Sequence, residues 1–251
     1  MQAFFLDSGA RTGRYNMDRD LELVAGSVDD SFTLRFYTWE PYCVSLGANQ
    51  AESDIDTAKL FADGFDLVRR PTGGRAVFHS EELTYSVVIR SGNRSPKEAY
   101  TAINEALLMG LGIYDPRLSD AGLSGEDVKF REHYRSVQSA ACFSVPARSE
   151  VKIDGRKLIG SAQRRIGQAI LQHGSINTGP FHKRIADYLI LPEKEKECLI
   201  ELLESGTADI RTILGSEVDL NRLKTAILKG FELKFCMDFS FLEMMTDLNK
   251  I

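Results

Sequence analysis

Glu150-Val151-Lys152-Ile153-Asp154-Gly155-Arg156-Lys157-Leu158-Ile159-Gly160-Ser161-Ala162-Gln163 is the stretch from which the fold can be read. Apolar strand formers flank Asp154-Gly155, the dipeptide that best fits a two-residue hairpin turn. A second turn near Ile166-Gly167-Gln168 leads into Ala169-Ile170-Leu171-Gln172-His173-Gly174, so three consecutive antiparallel strands are expected. Side chains alternate along a strand. That alternation puts Lys157, Ile159 and Ser161 on one face and leaves Gly160 and Ala162 as a nearly bare second face, open to a flat or extended ligand.

Upstream, Met17, Leu21, Val24 and Ala25 recur at helical intervals and Gly26 stands where a helix stops, which predicts an opening helix over 16–25. Ser31 to Trp39 and Cys43 to Leu46 are rich in strand formers, and Glu40-Pro41 between them suggests a hairpin. A short capped helix is expected over 54–62, strands over 65–69 and 83–89, and a helix over 96–111 with Pro96 near its start. Beyond Pro192 the pattern is mostly helical, notably from Leu220 to Phe235. No repeat or linker interrupts this order. The expectation is one α+β domain over residues 1–251, a mixed and largely antiparallel sheet flanked by helices, with a helical C-terminal end from about residue 182.

A chain of 251 residues that is 43% hydrophobic and carries a net charge of −5 can bury a sizeable core and is not disordered. No apolar run reaches the ~18 residues of a membrane helix, and the first residues lack a signal-peptide pattern, so a soluble cytoplasmic protein is the default. The four cysteines are widely spaced, without a Cys-x-x-Cys pair, which argues against a zinc ribbon, a dithiol motif or a disulfide scaffold. Charge is uneven: from Lys129 to Arg165 nine basic residues face three acidic ones, whereas Ala186 to Ile251 holds 13 acidic and eight basic residues. An acidic chain without an aromatic-interleaved basic motif is a weak candidate for nucleic acid. No metal site is expected.

Four segments carry chemistry. In Arg69-Arg70-Pro71-Thr72-Gly73-Gly74-Arg75-Ala76-Val77-Phe78-His79, paired glycines permit close backbone approach while three arginines supply positive charge and planar donors. No Lys-Ser/Thr follows, so this is not a P-loop. Histidines such as His79 are more often hydrogen-bonded structural residues. Lys157 can stabilise an oxyanion or act as a base, although lone lysines beside hairpins are usually surface residues. Gln172-His173-Gly174-Ser175-Ile176 is a strand ending in small residues. Cys142, within Ser139 to Pro146, is by composition an inert buried thiol, while its basic surroundings would favour a thiolate.

Taken together, these segments resemble the lipoate-protein ligase A / lipoyl(octanoyl)transferase family of the biotin and lipoate ligase superfamily. The resemblance rests on residues 69–79 with Leu83-Thr84-Tyr85-Ser86-Val87, on residues 154–163, and on residues 172–176, and it spans most of residues 1–185. It implies a slot for a medium-chain acyl group lined by Gly73, Gly74 and Lys157, with Arg70, Arg75, His79, Gly160, Ser161, Ala162, His173 and Gly174 as further substrate-binding positions. One departure is Ser80, where many members carry aspartate after the histidine. Cys142 followed by Phe143, a dozen residues before the Asp-Gly turn, is similar in position to the nucleophile of the cysteine-dependent branch, which moves octanoyl from acyl carrier protein to lipoyl domains. In that branch Cys142 and Lys157 are the catalytic pair and no cofactor is needed. The partners implied are octanoyl-acyl carrier protein and the lipoyl domains of glycine cleavage H protein or 2-oxoacid dehydrogenase E2. The alternatives are an ATP- and magnesium-dependent lipoate ligase acting through lipoyl-AMP, transfer between lipoyl domains, and a non-catalytic lipoyl- or acyl-binding protein.

Overall fold

The computed structural model describes residues 1–92, 94–123 and 150–242. Cys142 and the basic residues Lys129, Arg131, Arg135 and Arg148 lie outside them. The first strand, β1 (Gln2–Arg11), carries Phe5 and Leu6 into the interior and ends at Thr12, whose side chain caps α1 (Gly13–Ala25). The opening helix therefore begins three residues earlier than its apolar spacing suggested. Next come β2 (Ser31–Trp39), β3 (Cys43–Leu46), α2 (Thr57–Ala62), β4 (Asp66–Arg69), β5 (Val77–His79) and β6 (Glu82–Arg90). The helix α3 (Pro96–Tyr114) starts with a capping box between Ser95 and Glu98 and with proline in its first turn. After β7 (Gly122–Leu123), β8 (Val151–Ile153), β9 (Arg156–Ile166) and β10 (Ala169–Asn177) form the expected meander. Asp154 and Gly155 take φ of 49° and 75° at its first turn. A 3₁₀ stretch (Pro180–Asp187) leads to α4 (Glu193–Gly206), α5 (Ile210–Leu214), α6 (Leu220–Phe235) and β11 (Ser240–Phe241).

Eight strands form the main sheet in the order β11-β1-β2-β6-β10-β9-β8-β7, parallel where β1 meets β2 and β11 and antiparallel elsewhere. A smaller sheet has the order β4-β3-β5. The expected α+β class is thus observed, but the hairpin between β2 and β3 is not. Strand β2 is buried along nearly its whole length between β1 and β6, while β3 pairs with β4 and β5. The Glu40-Pro41 corner carries the chain from one sheet to the other.

Each face of the main sheet has its own cover. Phe32, Leu34 and Phe36 of β2, with Tyr85 and Val87 of β6, bury against α3 and α6 in the largest apolar cluster. A second cluster joins the small sheet to the 3₁₀ stretch and α4 through Val44, Phe78, Tyr188 and Leu203. Between the small sheet and the other face of the main sheet lies the slot described next.

Candidate active site

The slot is a narrow cavity of about 40 Å³. Its floor comes from the main sheet. Thr84, Ser175 and Gly160 face one another across β6, β10 and β9, as do Ser86, His173 and Ala162, so these residues share one face. Gly160 and Ala162 leave that face bare, as their alternation predicted. Ser45, Val77 and His79 form the opposite wall from the small sheet, Met17 of α1 closes one side, and Tyr37 and Trp39 of β2 close another.

A β-bulge corrects the expectation for Lys157. Val151 pairs with Ile159 while Lys152 pairs with Lys157, which places one extra residue in β9. Because Val151 and Lys152 point to opposite faces, Lys157 and Ile159 do too. Ile159 joins the core under α3 and α6, and Lys157 falls on the face of Gly160 and Ala162. There it is buried, with Nζ 2.6 Å from Glu150 Oε1.

Two histidine-carboxylate networks meet the slot. In the first, His173 Nδ1 donates to Asp20 Oδ2 at 3.0 Å, since a carboxylate can only accept, and Nε2 then accepts from the Thr72 hydroxyl at 2.6 Å. Asp20 Oδ1 accepts from Arg35 Nη1 at 2.8 Å, and Arg35 also donates to Ser8 Oγ and to Asn16. Burial drives the Asp20 pKa upward, but the His173 hydrogen bond and the Arg35 charge outweigh it and hold the carboxyl below its usual range. Burial also pushes the His173 pKa below 6.5, against the pull of Asp20. In the second network, Glu82 Oε1 is met by His79 Nδ1 at 2.9 Å, Trp39 Nε1 at 3.1 Å, Ser175 Oγ at 2.8 Å and the Thr84 hydroxyl. Burial again works upward on Glu82, and the His79 charge with these hydrogen bonds brings the net shift below the usual value. The Trp39 and His79 rings stack with centroids 4.0 Å apart.

The arginine-glycine loop is built largely by its own side chains. Arg70 donates to the carbonyls of Ser45, Gly73 and Arg75, and Arg69 to those of Gly47 and Gln50. The Gly74 backbone, at φ 100°, lies so close to Gly47 that a Cβ there would run into the Gly74 carbonyl oxygen. Of the expected substrate-binding residues, Arg70, His79, Gly160, Ser161, Ala162, His173 and Gly174 line the slot. Gly73, Gly74 and Arg75 are exposed, and neither they nor the buried Lys157 belong to its lining. The Ser80 hydroxyl is buried without a hydrogen-bond partner among the described residues. Asp20, Arg35, Tyr37 and Trp39 were not foreseen, since their roles depend on pairing between distant segments.

Cys43 is the described cysteine nearest the slot, packed with Met17, Tyr37 and Trp39, and burial pushes its thiol pKa well up. Cys198 and Cys236 are exposed on other parts of the surface. Among the described residues no cluster of His, Cys, Asp or Glu is arranged to hold a metal ion, and no helix is long and apolar enough to cross a membrane.

Residues 12–232 match the lipoyl protein ligase A/B catalytic domain. The chain belongs to this family. Within it, octanoyltransferase LipM of Kyrpidia tusciae is 35% identical over 234 residues, covering 90% of this chain and 84% of that protein. Octanoyltransferase LipM of Clostridioides difficile is 36% identical over 214 residues, covering 82% and 76%. Among solved structures, the bipartite lipoate protein ligase of Thermoplasma acidophilum superposes with a TM-score of 0.78 at 21% identity, covering 97% of this chain and 88% of that one. Lipoate-protein ligase A bound with ATP gives 0.74 at 21% identity, covering 97% and 90%. At that identity the likeness is one of fold, and the lipoyl protein ligase A/B family fold is the mixed sheet described above.

Proposed function

We propose that this enzyme transfers an octanoyl group from acyl carrier protein to the lysine of a lipoyl domain, through a thioester on Cys142. The observation that carries this proposal is the similarity to relatives named octanoyltransferase LipM across more than four-fifths of the chain. The slot supports it: walls of Met17, Tyr37, Trp39 and Val77 over a floor of Gly160 and Ala162 suit a linear aliphatic chain.

The chemistry balances without a nucleotide. Exchange of one thioester for another is close to neutral, and aminolysis to an amide is downhill. Cys142 as thiolate would attack the octanoyl carbonyl on the carrier and release the carrier thiol. Lys157 would stabilise the tetrahedral oxyanion, a role that suits a buried cation already oriented by Glu150. Acceptors of this chemistry are the lipoyl domains of glycine cleavage H protein and 2-oxoacid dehydrogenase E2. Both carriers are expected to be acidic, and Arg75, Arg164 and Arg165, all exposed, give the enzyme positive charge around the loop and the adjoining end of β9. Added salt should therefore slow encounter with both proteins; transfer rates indifferent to salt would remove that role.

Mass spectrometry of the intact enzyme after mixing with octanoyl-acyl carrier protein tests the proposal. One octanoyl adduct is expected on the native chain and none on Cys142→Ala. A stable adduct on the variant would remove the cysteine mechanism.

A further inference from the structure

We infer that a second cavity, which shares Trp39 with the slot as a wall, binds a linear aliphatic diamine or polyamine, with one ammonium group seated against Ser80 and Glu82. Such a site is independent of the proposed acyl transfer and stands whichever donor the enzyme uses.

The second cavity measures about 550 Å³ and opens to solvent between the exposed Glu40, Pro41, Glu217 and Leu220. Ser80 and Glu82 line it and not the slot, and at 5% and 3% exposure they form its inner end. Glu82 stands in the partition between the two spaces. The groups that meet its Oε1 belong to Trp39, His79, Thr84 and Ser175, all of which line the slot, so Oε2 is the oxygen left to the cavity side. Neither Oε2 nor the Ser80 hydroxyl has a hydrogen-bond partner among the described residues. Buried oxygens without a donor are costly, and a bound group that donates to them recovers the cost.

Wall charge decides what kind of group that is. Among the described residues the lining holds four carboxylates, on Glu40, Glu81, Glu82 and Glu217, and one guanidinium, on Arg211. Arg211 is engaged by Glu81 at 2.8 Å and by Glu217 at 3.5 Å. An anion is therefore disfavoured, and among the described residues no acidic cluster is arranged to hold a metal ion. What fits is a cation that brings its own N–H donors. A guanidinium fork is matched by a carboxylate presenting both oxygens, and Glu82 Oε1 is already taken. A primary ammonium, with three donors on one small atom, needs only Oε2 and the Ser80 oxygen. Glu40 and Glu217 add carboxylates at the mouth, while Pro41, Val218 and Leu220 supply apolar wall. A methylene chain with an amino group at each end answers all three features; a lone ammonium leaves the mouth carboxylates unanswered.

Trp39 is the single tryptophan of the chain, so its fluorescence reports on the shared wall without a label. Native enzyme is titrated with spermidine by that fluorescence and by calorimetry in about 0.15 M salt, where loose surface attraction is screened. One spermidine per chain is expected, with a change in Trp39 emission, and butylamine should bind about 5- to 20-fold more weakly for want of the mouth ion pairs. Ser80→Ala, which removes an orphan hydroxyl, should weaken spermidine about 10-fold. Glu217→Gln, at the exposed mouth, should weaken it about 2- to 5-fold. Without amine both variants should melt like the native chain, and with spermidine the native chain should gain the most. Should Ser80→Ala fail to fold, Glu217→Gln and the comparison with butylamine decide. Absence of binding, binding of many amines per chain that vanishes with salt, or unchanged affinity in both variants would overturn the site. Tighter binding of methylguanidine would overturn the choice of ammonium. Tighter binding of Nα-acetyl-lysine amide would overturn the polyamine in favour of a partner's lysine side chain.

Discussion

The two buried carboxylates beside the slot are held in different ways. Asp20 faces a full positive charge: Arg35 is as deeply buried as Asp20 itself and is locked to Ser8 and Asn16. Glu82 is held by a cage of hydrogen-bond donors on one oxygen, from His79, Trp39, Thr84 and Ser175, while Oε2 is buried without a hydrogen-bond partner among the described residues. The contrast separates two tasks. A carboxylate balanced by arginine can polarise a neighbouring histidine, whereas one met by a histidine together with indole and hydroxyl donors ties the Trp39-His79 stack to the sheet floor.

The contrast can be broken most sharply at Arg35. Arg35→Met leaves Asp20 ionised and buried with no compensating charge, and urea denaturation should show a loss of about 3–5 kcal/mol. A loss below 1 kcal/mol would mean that the pair is not the anchor of this region. Glu82→Gln keeps the shape and an accepting oxygen, so a smaller loss of about 1.5–3 kcal/mol is expected by the same measurement. Equal losses at both sites would erase the distinction.

Acid offers a milder probe. The folded His173 pKa is depressed, so its contribution is complete above about 6.5 and declines as pH falls and the unfolded chain binds the proton first. His182, depressed mainly by burial, acts in the same direction. The folded Asp20 and Glu82 pKa values are also depressed, so their contributions are present above about 4 to 4.5 and are lost as pH falls through the folded values. Stability should therefore drop in two stages on acidification, first near pH 6 and then below pH 4. A flat profile between pH 7 and 5 would contradict the histidine assignment. The smallest effect is expected at the rim. Arg164 is exposed and donates to the Pro71 carbonyl at 2.8 Å, so Arg164→Ala should cost no more than about 0.5 kcal/mol in a thermal melt.

Much of this was legible in the sequence, and what was missed has a common cause. The meander from β8 to β10 announced itself through Asp154-Gly155 and period-two patterning, and the capping box of α3 lies within four residues. The arginine-glycine loop and the His173 strand could be assigned to one site only through the family resemblance that their local motifs carry. Strand β1 went unnoticed because its burial is irregular and its partners β2 and β11 come later in the chain. The bulge at Leu158 escaped alternation arguments, since one inserted residue reverses the facing of everything beyond it. Asp20 meets His173 across 153 positions of sequence, and no spacing rule reaches that far.

The central claim is transfer of octanoyl between protein carriers without a nucleotide. Its most direct test is the intact mass of an apo-lipoyl domain after incubation with this enzyme and octanoyl-acyl carrier protein, with ATP left out. The account predicts that the domain gains one octanoyl group under those conditions. Modification that occurs only when free acid and ATP are supplied would contradict it.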